Sequence, residues 1–185
     1  MRRHIRDKTL VLRAKSGDKE AFGQLYDLYI SKIYRFIYFK VSSQEEAEDL
    51  TSETFLKAWQ YINSGSSKKI TNFSALLYKI ARNSVIDFYR RRSQGEILGE
   101  EALFLNEESY EEDLNEKIQV RSEMEGVERN LKKLKDEYRE VIILRFIEEF
   151  RIGEIAKILD KPQGAVRVLI HRALKSLREE MEETK

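Results

Sequence analysis

No cysteine occurs in the chain. Disulfides and thiolate metal sites are therefore excluded, and the composition fits a reducing compartment. Proline occurs once and glycine eight times in 185 residues. With so few helix breakers and frequent apolar spacing of three to four residues, the pattern is all-helical. No apolar run approaches the length of a membrane span. The basic N-terminus, MRRHIRDKTLVLRAKSG, lacks the apolar core of a secretion signal. A cytoplasmic protein is expected. No internal repeat is present. Excess charge is missing too: the net is only +1, so the totals alone do not require a nucleic-acid partner.

The distribution of charge is more informative than its total. Between Glu96 and Glu128 lie twelve acidic residues, opposed only by Lys117 and Arg121. That segment carries −10 within a total of +1, leaving +11 for the rest of the chain. Two basic regions are thus joined by an acidic one, and the length suits one or two domains.

Residues 5–15 form a short helix candidate ended by Ser16-Gly17, and Asp18 is placed to N-cap the next helix. There Phe22, Leu25, Tyr26, Tyr29, Ile33, Phe36 and Ile37 recur at helical spacing and read as core. Ser43 followed by Glu46 has the form of a capping box and opens the helix SQEEAEDLTSETFLKAWQYI. Ala47, Leu50, Thr54, Phe55, Ala58, Trp59 and Ile62 face inward; Glu45, Glu48, Asp49, Ser52 and Glu53 face outward. This acidic half either complements the helix dipole or docks a basic partner. Asn63 to Asn72 is a polar loop containing Ser64, Ser66, Lys68 and Lys69. It is either a solvated connector or a cradle for phosphates and an extruded base.

Phe73 to Arg92, FSALLYKIARNSVIDFYRRR, separates into two faces. Leu76, Leu77, Ile80, Ala81, Ser84, Val85 and Phe88 form the packing side. Lys79, Arg82, Asn83, Ile86, Asp87 and Arg90 form the other, which runs out into Arg90-Arg91-Arg92. Cations at a helix C-terminus favour it electrically, and a basic run is also a weak nucleic-acid motif. Asp87 either accepts from a base or pairs with Arg90 or Arg91 one turn on, the pairing being the expected outcome.

Ser93 to about Glu128 has no sustained period and reads as a charged, extended linker, with a short helix conceivable near 112–128. Leu131, Leu134, Tyr138, Val141, Ile142, Leu144, Phe146 and Ile147 then build one long helix or two short ones. Ile152, Ile155, Ala156 and Leu159 make a short apolar face, Asp160-Lys161-Pro162 a tight turn, and Val166, Ile170, Ala173, Leu174 and Leu177 a second face. Pro162 suits a helix's first turn. Two short helices across a tight turn are the pattern of a helix-turn-helix. Its outer face would carry Arg167, Val168, His171, Arg172, Lys175 and Arg178, with Gly164 and Ala165 permitting close backbone approach. Val168 either meets a thymine methyl or is an ordinary surface valine. His171 has no second ligand near it in sequence, since His4 is far away, so no metal site is expected.

Taken in order, these segments resemble bacterial sigma factors of the extracytoplasmic-function (ECF) group, from about Asp18 to Leu177. The resemblance implies an all-α protein of two helical domains joined by an acidic linker. Residues 1–92 are similar to sigma region 2, 93–128 to the linker and 129–185 to the region 4 helix-turn-helix. Glu48 to Phe55 resembles the segment that docks on the clamp helices of the polymerase β′ subunit, which assigns Asp49, Ser52 and Glu53 to core binding. The family commonly has glutamine where Ser52 stands. The helix from Phe73 resembles the minus-ten reader. Its implied DNA contacts are Asn63, Ser64, Ser66, Lys68, Lys69, Asn72, Phe73, Lys79, Arg82, Asn83, Asp87, Arg90 and Arg91, although tryptophan usually stands at Leu76. The helix from Pro162 resembles the minus-thirty-five reader, implying Gln163, Gly164, Ala165, Arg167, Val168, His171, Arg172 and Lys175. Threonine, serine and arginine are common at Ala165, Val168 and Leu169, so the preferred element should be idiosyncratic.

The implied partners are core RNA polymerase, through the β′ clamp helices and the β flap, promoter DNA and an anti-sigma factor. No membrane insertion, small-molecule substrate, cofactor, metal or catalytic residue is expected. The acidic linker either threads the polymerase channel that holds nucleic acid or spaces the two domains. A dimeric helix-turn-helix repressor or activator fits the asymmetric layout poorly. A carboxylate-dependent nuclease lacks a pair of acids in an apolar setting. A degenerate sigma-like regulator that has lost polymerase binding is the third alternative, raised by Ser52.

Overall fold

The computed structural model describes residues 2–41, 43–64, 70, 72–96, 131 and 133–183. Their regular structure is all helical, with no strand among the described residues. They fall into two compact units, one of the helices up to residue 96 together with Lys157–Leu159, the other of the remaining described residues from 131.

The first unit contains α1 (Arg2–Lys15), α2 (Lys19–Tyr38), α3 (Gln44–Asn63) and α4 (Phe73–Glu96). Asp18 caps α2 as its spacing predicts: the Ala21 N–H donates to Asp18 Oδ1 at 3.0 Å. The Ser43 hydroxyl likewise accepts from the Glu46 N–H at 3.1 Å and starts α3. Each cap satisfies an amide that the helix leaves without an internal partner. Helix α1 begins at Arg2, ahead of the expected residue 5. Helix α4 continues to Glu96, past Arg92, and takes in Gly95 near its end.

The core of this unit is where the helical stripes meet. Leu25, Tyr29, Ile33, Phe36 and Ile37 of α2 are buried with Leu50, Phe55, Ala58 and Ile62 of α3 and Leu77, Tyr78, Ala81 and Val85 of α4. Each large side chain removed from water contributes about 1.5–3 kcal/mol. Aromatic edges lock the register: Phe36 meets Tyr78 at 5.1 Å and Tyr29 meets Phe73 at 5.7 Å, centroid to centroid. Thr51 and Thr54 are buried in α3 by bonding back to the carbonyls of Ala47 and Leu50, which removes the cost of an unpaired hydroxyl. The Tyr89 hydroxyl donates to the Lys40 carbonyl at 2.7 Å, pinning α4 to the end of α2. Tyr26, expected inward, is exposed, with one side of its ring on Phe55 at 4.7 Å.

From residue 131 onward the chain forms α5 (Asp136–Ile142), a π-helical turn (Ile143–Ile147), α6 (Ile152–Leu159) and α7 (Gln163–Glu183). The apolar run after Leu131 therefore gives one short helix widened at its end, where the Glu148 N–H reaches back to the Ile143 carbonyl at 3.0 Å. That widening turns Phe146, expected to pack, out to solvent. Asp160 ends α6 in the left-handed region, φ 52°, a conformation that aspartate tolerates better than most residues. The Lys161 N–H returns to the Ala156 carbonyl at 3.0 Å. Pro162 stands one position before α7, its carbonyl accepting from the Val166 N–H at 3.1 Å. It is thus a cap residue rather than part of the first turn. In α7 the buried stripe is Val166, Leu169 and Ala173. Leu174, expected on that stripe, lies at its edge and is exposed.

Candidate nucleic-acid interface

Three surfaces carry the residues singled out from sequence. On α3, Asp49 and Ser52 are exposed and Glu53 is partly so. The Ser52 hydroxyl bonds back to the Glu48 carbonyl at 3.0 Å. Glu53 holds Lys57 at 2.7 Å and lies 3.9 Å from Arg91 of α4. The sequence reading missed Leu56, which is 57% exposed. Its signal was available: it follows Asp49 by seven residues, Ser52 by four and Glu53 by three, so it shares their face. An exposed apolar side chain one turn beyond Ser52 and Glu53 adds to this surface a contact that charge alone would not.

The outer stripe of α4 is as the spacing predicts. Lys79, Arg82 and Asp87 are half-buried; Asn83, Ile86, Arg90 and Arg91 are exposed. Asp87 Oδ1 takes Arg90 at 3.1 Å, and Arg91 Nε donates to the Asp87 carbonyl at 3.4 Å. Packing fixes the base of the stripe, since Ser84 beneath it is buried and accepts from Lys57 Nζ at 3.1 Å.

The segment before α4 divides differently. Asn63 and Ser64 close α3: Asn63 Nδ2 donates to the Trp59 carbonyl at 2.8 Å and Ser64 Oγ to the Tyr61 carbonyl at 2.9 Å. Asn72 Oδ1 accepts from the Ala75 N–H at 3.0 Å and so caps the start of α4. Ser66, Lys68 and Lys69 lie outside the described residues. Phe73 is a correction. It is only 3% exposed, with its ring against Tyr29, and it belongs to the core rather than to a binding surface. The linker from residue 97 to 128 also lies outside the described residues.

On α7, Gln163, Gly164, Ala165, Arg167, Val168, His171, Arg172 and Lys175 are all exposed. The turn at Asp160 and the burial of Val166 and Leu169 leave this face of the helix exposed. Gln163 is held over α6, its amide nitrogen 3.5 Å from where a Cβ on Gly153 would stand. Lys175 pairs with Glu179 at 3.7 Å. The N-terminal half of α7 thus offers hydrogen-bond donors and cations around Val168, which is 51% exposed. A face of this make-up suits the base edges and phosphates of a major groove.

Comparison with known proteins bears on both units. Residues 25–94 match Sigma-70 region 2, and residues 125–177 match Sigma-70, region 4. The chain is 34% identical over 181 residues to the ECF RNA polymerase sigma factor SigW of Bacillus subtilis, covering 94% of this chain and 96% of that protein. It is 37% identical over 171 residues to the ECF RNA polymerase sigma factor BldN of Streptomyces coelicolor, covering 91% of this chain and 63% of that longer relative. Among solved structures, CnrH in complex with the cytosolic domain of CnrY aligns with a TM-score of 0.73 at 25% identity, over 97% of this chain and 99% of that one. RpoE of Bartonella quintana, in complex with the anti-sigma factor NepR, shares the fold with a TM-score of 0.69 at 23% identity, over 87% of this chain and 96% of that one. With both sigma regions present in order and an end-to-end likeness to SigW, the chain belongs to the ECF RNA polymerase sigma factors.

Proposed function

We propose that this sigma factor docks on core RNA polymerase through α3, reads a promoter's upstream element with α7 and holds the opened minus-ten strand along α4. The observation that carries the reading is the exposed face of α7, where Arg167, His171 and Arg172 surround Val168 on a helix that follows a tight turn. Residues 1–92 form the polymerase-docking and minus-ten unit, 93–128 the linker and 129–185 the upstream reader. Asp49, Ser52 and Glu53, with Leu56 at the end of their row, meet the β′ clamp helices. Lys79, Arg82, Asn83, Arg90 and Arg91 line the DNA path, while Asn63, Ser64 and Asn72 shape the loop ends. Phe73 is excluded from the set.

The protein acts in the cytoplasm and performs no chemistry of its own. Duplex opening is driven by binding: capture of an extruded base offsets an unstacking cost of about a few kcal/mol, and phosphate contacts add a salt-sensitive share. The complexes of CnrH with the cytosolic domain of CnrY and of RpoE with the anti-sigma factor NepR support a protein partner of this kind, an anti-sigma factor, for this chain.

In-vitro transcription with core polymerase on a genomic fragment library tests the reading. Specific start sites should appear only when the protein is added. Asp49→Lys with Glu53→Lys should abolish co-purification with core polymerase while leaving the Trp59 fluorescence transition intact. Start sites that do not depend on the protein would overturn the reading, and unchanged association would remove α3 as the docking helix.

A further inference from the structure

We infer that Val168 is a sequence-reading residue that recognises the C5-methyl group of a thymine in the upstream promoter element. The inference rests on the proposal that α7 enters the major groove, and it names what that helix reads there.

Val168 is 51% exposed, between small residues on one side and polar ones on the other. On the helix its neighbours are the residues three and four positions away: Gly164 and Ala165 on one side, His171 and Arg172 on the other. All four are exposed. The side chain is thus presented rather than packed. The helix buries Val166 and Leu169, on either side of it in sequence, instead.

The small residues matter to how closely the helix can approach. A Cβ placed on Gly164 would meet nothing within 4 Å, and its φ lies outside the left-handed region. The fold therefore does not need glycine there. Glycine at 164 and alanine at 165 instead leave the helix start slim, which lets a recognition helix bring its N-terminal residues against base edges. Valine has neither a donor nor an acceptor, so it cannot take part in hydrogen-bond readout. The apolar group that a base pair offers in the major groove is the thymine methyl. A valine held at the groove floor between Ala165 and Arg172 is thus matched to thymine, and it leaves an unpaired amino group on cytosine or adenine poorly solvated. Arg167 and Arg172 can address guanine or phosphates beside it. The resulting element has a thymine adjacent to positions read by arginine.

The test uses the full chain with core RNA polymerase. Duplexes randomised in the upstream element are selected for binding, and each thymine in the selected sequence is then replaced by deoxyuridine, which removes only the methyl group. One thymine should be enriched. Its exchange for uracil should weaken binding about fourfold, the worth of one buried methyl group. Val168→Ser should lose the preference for that thymine and become indifferent to uracil. The variant should fold normally, because the side chain lies on the surface. Absence of any enriched thymine, silence of the uracil exchange, or an equal penalty in Val168→Ser would each overturn the inference. Arg167→Ala with Arg172→Ala separates the two levels. If that double variant keeps full recruitment, the DNA-reading role of α7 falls. If it loses recruitment while uracil is silent, the methyl contact alone falls.

Discussion

Arg92 Nη1 donates to Glu46 Oε1 at 3.1 Å, tying the basic end of α4 to the first turn of α3 across 46 residues of chain. The contact joins the helix proposed to hold DNA to the helix proposed to hold polymerase. Both groups are partly exposed, so the pair is worth about 0.2–1 kcal/mol and is weakened by salt. The sole tryptophan, Trp59, lies in α3 with its ring 4.8 Å from Phe22, so its fluorescence follows the unfolding of this unit. A double-mutant cycle of Arg92→Ala and Glu46→Ala, followed by urea titration, should give a coupling in that range that shrinks at high salt. A coupling of zero would leave Arg92 with no role in joining the helices.

Phe73 separates packing from binding. Its ring is buried against Tyr29, and truncation of a buried phenylalanine costs about 3–5 kcal/mol. Phe73→Ala should therefore shift the Trp59 transition to much lower urea, whereas Phe73→Leu should recover most of the loss. A Phe73→Ala protein with an unchanged transition and defective promoter opening would return the residue to the DNA surface.

That correction shows where sequence reasoning was enough and where it stopped. The caps at Asp18 and Ser43, the inward Val166 and the outward stripe of α4 follow from spacing and from side chains that bond to nearby amides. These are local relations, and local pattern carries them. Phe73 precedes Leu76 and Leu77 by three and four residues, so the spacing of α4 already puts it on the packing side; it is the resemblance to a DNA-reading helix that assigns it to the surface, and its ring against Tyr29 returns it to the core. Leu174 failed for a different reason. The stripe that packs on the rest of its unit is narrow, and a leucine one position beyond Ala173 falls off its edge. Leu56 was assigned to neither face, because only charged and hydroxyl side chains were looked for on the outward one. Phe146 depended on a π-helical turn, which no hydrophobic period announces.

Asp18 makes the fold sensitive to acid. Its carboxyl is held below its ordinary value of 3.8, first by the Ala21 N–H and next by the side chain of Arg13. A depressed folded value means that the ionised group's stabilisation is fully present above pH 3.8 and is lost as pH falls through the lowered value. Asp18→Asn keeps an oxygen for the Ala21 N–H but removes the charge. The Trp59 urea midpoint of the native chain should therefore fall more steeply below pH 3.8 than that of Asp18→Asn. Parallel profiles would show that the carboxylate's charge does not contribute.

Asp87 decides how much cation α4 can offer to DNA. Its carboxylate takes Arg90 at 3.1 Å, one helical turn away. In that arrangement it restrains one arginine and places a negative charge beside the proposed phosphate path. Asp87→Asn should release Arg90 and lower that repulsion. Binding of the polymerase complex to promoter DNA should then tighten at low salt, and the slope of log K against log salt should steepen by about one phosphate's worth, roughly 0.9. The alternative role gives the opposite sign. If the carboxylate accepts from a base of the opened strand, Asp87→Asn leaves the salt slope unchanged and weakens opening at promoters that carry the matching base. Measuring the salt slope and open-complex formation on the same duplex separates the two, because an ion-pair clamp moves the slope and a base contact moves only the opening.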